Sequence, residues 1–339
     1  MKGKTNKKAI NRNLGIESLR VISCFWVVLS HCMSNNNNII TNFIKSKKYH
    51  VPSFFFISFY YLYPIVCLRN VEKMKNRLKR LLIPYTFWIF IFWIIYESSF
   101  LFSRNKIKIA LNDLKIQLIV GRRIMGHLWF MFNLIFFTIV FFINSFLFEK
   151  NNYLVILLLA SVTSYIFQYS GIYYNYFNNF RSDVKLSVGL FVETIPFAAS
   201  AFLISSLKIE EKLKNHRMKV LILIFIYLYF IIKYNVFSNA YGFNFQGIDK
   251  NIISIMLFIE FYLIPFEYLK EKCFYNFINI CTRYTQGIYY LHIFLSQKLQ
   301  LILRIKGSFL YCFIIYLFGY FISFIGTKIA GKNILKYLF

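Results

Sequence analysis

Ten apolar stretches recur along this chain, at about 16–33, 51–69, 81–101, 127–148, 152–170, 186–206, 218–234, 251–268, 285–303 and 308–327. Each is close to the ~20 residues that a helix needs to cross the hydrocarbon of a bilayer. Lipid leaves no water to satisfy backbone polar groups, so continuous apolar runs of this length must fold as helices. The pattern predicts an all-α integral membrane protein, a bundle of about ten transmembrane helices. Composition agrees, because 42 Phe and 26 Tyr against 13 acidic residues do not make a soluble domain. The formal net charge of +27 raises the question of nucleic acid. Lys and Arg, however, cluster between the apolar stretches and form no basic domain, so the charge reads as topogenic and lipid-facing, with no nucleic-acid partner.

Ten spans would put both termini on one side. That side collects 24 of the 40 basic residues, which by the positive-inside rule makes it the cytoplasm and the chain a multi-pass protein of the cytoplasmic (inner) membrane. A single transmembrane domain over 1–339 is expected, with a short basic cytoplasmic N-terminus at 1–13. That start lacks an A-x-A-like cleavage site, and the apolar run after it is interrupted by Arg20, so the first span should remain in the mature protein. Segment 101–126 is too polar to span. Its Ile107, Leu111, Leu114 and Leu118 allow an amphipathic helix lying on the membrane over a site. The asparagine run at 35–38 reads as an outside loop. Segments 171–185 and 235–250, rich in Tyr, Phe, Asn and Gly, suit either sugar stacking or interfacial anchoring. The six cysteines (Cys24, Cys32, Cys67, Cys273, Cys281, Cys312) show no CxxC spacing, so neither a disulfide framework nor a metal site is expected.

The first stretch, LGIESLRVISCFWVVLSHCM, carries more than an anchor needs. Arg20 and His31 are eleven residues apart. On a helix they fall within about 20° of one face and roughly 16 Å apart along the axis. A cation near the membrane edge and an imidazole deep inside are costly in hydrocarbon and belong to a bundle interior or a wet cavity. Glu17, three residues before Arg20, is spaced to pair with the guanidinium.

An acidic residue, a short step to Arg, then ten residues to His in the first span resembles the acyltransferase-3 integral membrane family, which O-acylates sugars, lipopolysaccharide and other envelope polymers. NRLKRLLIPY resembles its second motif, an RxxR followed by Pro and Tyr. The resemblance implies that Arg77 and Arg80 bind acetyl-coenzyme A or another acyl-coenzyme A as co-substrate, with no tightly bound cofactor. Arginine pairs grip phosphate bidentately, although positive-inside charge alone also explains them. His31 would then be a general base, or carry the acyl group, with Arg20 and Glu17 holding the donor in register; an imidazole suits removal of a sugar hydroxyl proton as its oxygen attacks a thioester.

Three further segments extend the resemblance. VPSFFFISFYYLYPI matches an apolar segment in which Phe59 stands where glycine is expected; Phe would fill a gap that glycine leaves for a helix or a pantetheine arm, while Ser58 is placed to line the cavity. GHLWFM, with His127 and Trp129, resembles a motif of the branch that includes enterobacterial-antigen O-acetyltransferase and polysaccharide-intercellular-adhesin proteins. These two residues are either interfacial anchors or contacts to the acceptor. GIYYLHIF resembles the family's closing motif, and Tyr289 and His292, i and i+3 on one face, are either near the acceptor or helix-packing glue.

Glu193 and Glu260 lie mid-span, where a carboxylate must be paired, protonated or wet. Glu193, three residues before Pro196, is the better substrate-site candidate and is placed to orient a histidine or receive a proton. The implied acceptor is a sugar, a lipid-linked glycan or a surface polysaccharide. Walker A, dinucleotide, HExxH and G-x-S-x-G patterns are missing, which removes support for ATP-driven transport and for hydrolase chemistry of those kinds. The rival is a transporter or flippase of a polysaccharide precursor, for which ten spans with buried glutamates and histidines are equally suitable.

Overall fold

The computed structural model describes residues 13–33, 50–97, 104–146, 153–169, 182–238, 246–264, 272–303 and 308–329. The basic start before residue 13, the asparagine run at 35–38, most of the Tyr- and Asn-rich segment (171–181) and residues 239–245 lie outside them, as does the side chain of Cys273. The described chain is all-α: α1 (Leu14–Cys32), α2 (His50–Cys67), α3 (Val71–Glu97), α4 (Arg104–Val120), a 3-10 turn at Gly126–Leu128, α5 (Trp129–Ile143), α6 (Tyr153–Tyr169), α7 (Ser182–Leu207), α8 (Ile209–Leu213), α9 (Arg217–Ser238), α10 (Gln246–Leu263), α11 (Lys272–Leu303) and α12 (Phe309–Ile329).

Every one of the ten apolar stretches carries a helix. Among the described residues, six are long and apolar enough to cross a membrane: Leu14–Cys32, His50–Cys67, Val71–Tyr96, Gly126–Ile143, Ser187–Leu207 and Phe309–Lys328. Outward-facing Leu158, Leu159, Ile166, Ile222, Leu223, Leu310, Phe318 and Phe321 form an apolar exterior that only lipid covers without penalty. Two helices start well before the apolar runs that mark them. Helix α3 begins ten residues earlier, and α11 thirteen. Hydropathy sees only the lipid-level part of a helix, while hydrogen bonding continues into the basic flank. At 27 and 32 residues they measure about 40 and 48 Å, so a turn or more of each stands beyond the ~30 Å core.

Helix α1 is the hub, packed against α2, α10, α11 and α12. Its start is pinned at both ends of Asn13: the side-chain oxygen caps the Ile16 amide at 3.2 Å, and Nδ2 donates to the Tyr262 carbonyl of α10 at 3.2 Å. Gly15 is required there, since a Cβ would run into the Phe261 carbonyl. Opposite, α2 lies along α7 with Phe55 stacked on Phe197 (centroids 6.3 Å) and Ala198 and Ala201 fully buried, small residues that let helices approach closely.

The turn from α2 to α3 fixes the register of everything after it. Arg69, at φ 45°, takes the left-handed conformation, its amide donates to the Val66 carbonyl at 3.0 Å and the Asn70 amide to Ile65 at 3.1 Å, a Schellman ending. Asn70 then caps α3 through the Lys73 amide at 2.9 Å. Two residues thus reverse the chain and lay the basic first turns of α3 beside α2.

Segment 101–126 does hold a helix, α4. Ala110, Asp113 and Gln117 are buried and Leu114 and Leu118 of the expected apolar row pack against the core with them, whereas Leu111 is half exposed and Ile109 and Ile119 face out. Tyr85 donates to the Gln117 carbonyl at 3.0 Å, and the Trp93 indole to that of Ala110 at 2.9 Å. These bonds fasten α4 to α3, so its inward face carries polar side chains as well as the expected leucines.

Candidate functional site

Helices α1 and α11 run in the same direction. Arg20 and Arg283 line one cavity, the Cys24 thiol sits 3.5 Å from the Thr285 carbonyl, and the rings of His31 and His292 face each other at 5.3 Å. One end of the pair therefore gathers arginines and the other gathers histidines.

The arginine end surrounds a cavity of about 290 Å³ whose walls include Arg20, Ser58, Arg77, Arg283, Gln286 and Tyr289. Arg20 donates to Glu17 Oε2 at 2.9 Å, the i, i+3 pair expected from the spacing, with Glu17 only 3% exposed. Arg77 reaches across the turn between α2 and α3: its Nη2 donates to Ser58 Oγ at 2.6 Å and to the Ser58 carbonyl at 3.1 Å. Ser58 thus lines the cavity, as its place in the sequence suggested, and aims the guanidinium. Arg80 differs. It is exposed and does not line the cavity; its carbonyl accepts from Gln286 Nε2 at 3.1 Å. Its side chain belongs to the approach, one turn beyond Arg77.

Phe59 does not obstruct this space. It is fully buried on the opposite side of α2, stacked on Phe55 (5.9 Å) and edge-on to Phe137 and Phe141 (6.0 Å each), and is absent from the cavity wall. Of the two uses expected for the space a glycine would leave, Phe59 takes the helix-packing one: it fills the space between α2 and α5, and the residue beside it, Ser58, faces the cavity.

Tyr289 forms the inner wall and couples the two ends. Its hydroxyl donates to the His127 carbonyl, and its ring lies 5.6 Å from that of His127 and 5.9 Å from that of His292. The rings of His127 and His292 are 5.2 Å apart, so three histidines from α1, the Gly126–Leu128 turn and α11 form one cluster. His292 Nδ1 lies 2.7 Å from the Tyr289 carbonyl. A carbonyl only accepts, so Nδ1 carries a proton and Nε2 is the nitrogen turned away from this bond. That nitrogen and both ring nitrogens of His127 are buried with no hydrogen bond of normal geometry among the described residues. Polar atoms left open in this way are places for an ordered water or a polar ligand to bind. His31 stands in the last turn of α1 and is exposed, where its place in the apolar run suggested an imidazole deep inside. The described residues contain no group of three His, Cys, Asp or Glu side chains set to hold a metal.

What holds His127 in place is Gln117. The loop after α4 turns at Gly121 (φ 74°), and Gln117 Oε1 accepts from the amides of Arg123, Ile124 and Met125 at 2.6, 2.7 and 3.1 Å. The Asp113–Arg123 pair at 2.9 Å closes the same loop. Trp129 packs against Phe55 (5.7 Å) beside the cluster and outside the cavity wall.

Glu193 stands apart from both ends. Its Oε1 accepts from Lys250 Nζ at 2.6 Å, and no histidine is among its partners in the described residues. The residues that spacing alone did not pick out are Thr282, Arg283, Thr285 and Gln286, all on the cavity wall. Thr282, Thr285, Gln286 and Tyr289 form an i, i+3, i+4, i+7 row on one face of α11, continued by His292 and flanked by Arg283, a signal that appears only once the helix is extended below residue 285.

Comparison with known proteins gives one positive result: the model of the acyltransferase-3 family, described as an acyltransferase domain, matches residues 13–328. No curated protein and no solved structure matches.

Proposed function

The chain belongs to the acyltransferase-3 family, and from that premise we propose that it transfers an acyl group, acetyl in the first instance, from acyl-coenzyme A to a hydroxyl of an envelope or surface glycan such as lipopolysaccharide. The observation that carries this reading is the continuity of the site. A cavity walled by Arg20, Arg77 and Arg283 ends at Tyr289, whose hydroxyl and ring touch the histidine cluster. Arginines at one end suit the phosphates of the donor. Eleven residues of helix, roughly 16 Å, separate Arg20 from His31, a span for the pantetheine arm to cover.

In this reading the donor enters from the cytoplasmic side, where both termini lie, and ten spans surround it as one domain. Arg77 and Arg20 hold its phosphates, Glu17 holds Arg20, and Arg80 raises the positive potential at the entrance. The thioester is presented near His31. His31 removes the proton of the acceptor hydroxyl as the oxygen attacks the thioester carbonyl. The C–O bond forms, the tetrahedral adduct collapses with loss of the C–S bond, and the thiolate takes the proton back from the imidazolium. His127 and His292, with Trp129 beside them, meet the acceptor glycan from outside, which gives their unsatisfied nitrogens hydroxyl partners. The GHLW turn fits the branch of the family whose members modify enterobacterial antigen and intercellular adhesin.

Mass spectrometry of surface glycans from cells with and without the chain tests the reaction. An acyl increment that depends on the chain supports transfer and names the group by its mass. Glycan of unchanged mass that accumulates inside when the chain is missing is the result expected of a carrier, and it overturns the proposal.

A further inference from the structure

We infer that Arg283 is a third ligand to the anionic end of the donor, an assignment that rests on the donor reading above. The cavity wall carries three guanidinium groups and no carboxylate. Two of the three are already engaged: Arg20 by Glu17 and Arg77 by Ser58. Arg283 makes no ion pair and no hydrogen bond among the described residues, and it stands next to Thr282 and about one turn of α11 before Gln286, both of which border the same space.

Positive-inside charge accounts for an arginine somewhere at the cytoplasmic end of a helix, but not for three converging on one space. Like charges so gathered repel unless a multivalent anion comes between them. Arg20 comes from α1, Arg77 from α3 and Arg283 from α11, so a ligand bearing two or more phosphates is held by three helices at once. Arg283 lies nine residues before His292 on the same helix, about 14 Å, and so sets the distance between the phosphate end and the histidines directly through α11. The ligand class is a nucleotide-type polyphosphate attached to an arm, recognised through its phosphates and not through the acyl group.

The test is equilibrium binding to the purified full-length chain in detergent, with coenzyme A and phosphate-free pantetheine as probes and Arg77→Ala as the reference. Arg283→Ala should weaken coenzyme A by about tenfold or more, the usual worth of a lost charge-assisted hydrogen bond. It should leave pantetheine within twofold and the melting temperature unchanged, and Arg283→Lys should recover part of the loss. If Arg283→Ala leaves coenzyme A within twofold while Arg77→Ala weakens it, the assignment of Arg283 falls and the donor reading stands. If Arg283→Ala weakens both probes equally, Arg283 only supports packing and the assignment falls. If the unaltered chain holds coenzyme A no more tightly than pantetheine, the donor reading falls with it.

Discussion

Replacing Gln117 with Leu removes one oxygen and should unfasten the turn that bears His127. Gln117 is fully buried, and its Oε1 accepts from three consecutive backbone amides, those of Arg123, Ile124 and Met125, at 2.6 to 3.1 Å. Leu supplies no acceptor for them. A buried donor left without a partner costs about 1–3 kcal/mol. That cost falls on the Met125 amide, whose bond is buried, while the Arg123 and Ile124 bonds are only partly buried and water can replace them. The expected outcome is a loss of about 1–3 kcal/mol, seen as a lowered melting temperature in detergent. Because residues 121–125 lead straight into the Gly126–Leu128 turn, glycan acylation should fall as well. Gln117→Glu keeps the accepting oxygens, and the amide nitrogen it gives up has no partner, so it should retain most of the stability. If Gln117→Leu melts at the wild-type temperature and acylates normally, His127 is held by something other than this loop and the reasoning fails.

Two other predictions separate the cavity from its surroundings. Phe59→Gly restores the residue typical of the family, yet here it should delete a ring from the stack with Phe55, Phe137 and Phe141, at about 3–5 kcal/mol for an emptied aromatic site; thermal melting should show the loss, while coenzyme A affinity per folded molecule stays the same. Glu193→Gln breaks a partly exposed ion pair with Lys250 that is worth little, so acylation measured on surface glycans should persist, and its abolition would return Glu193 to the reacting groups.

The fold was legible wherever one physical signal acted alone. The apolar runs located ten of the twelve described α-helices, six of them long and apolar enough to span, and the spacing of Glu17, Arg20 and His31 was enough to anticipate both the ion pair and the shared face, because periodicity along one helix is local. Partners across helices were not legible. Nothing in the Arg77–Arg80 spacing says that Ser58 aims the first into the cavity while the second stays outside. The lower third of α11 escaped for the opposite reason: Thr282, Arg283, Thr285 and Gln286 lower the hydropathy of the segment, so the polar row that makes them a cavity wall also hides the helix that carries it. Gln117 went unnoticed because an amphipathic pattern points to the leucines, and Leu114 and Leu118 share their inward face with a polar side chain whose oxygen serves the loop that follows. Phe59 shows the limit of resemblance, since a family's glycine position says nothing about which way a replacing side chain turns.

The proposed transfer turns on His31 handling the proton of the attacking hydroxyl. Its sharpest test is the mass of surface glycans from cells expressing His31→Ala, with the variant's membrane level and melting temperature checked against the wild type. A folded variant with no acyl increment is the expected result; a normal increment from a folded His31→Ala variant would remove His31 from the reaction.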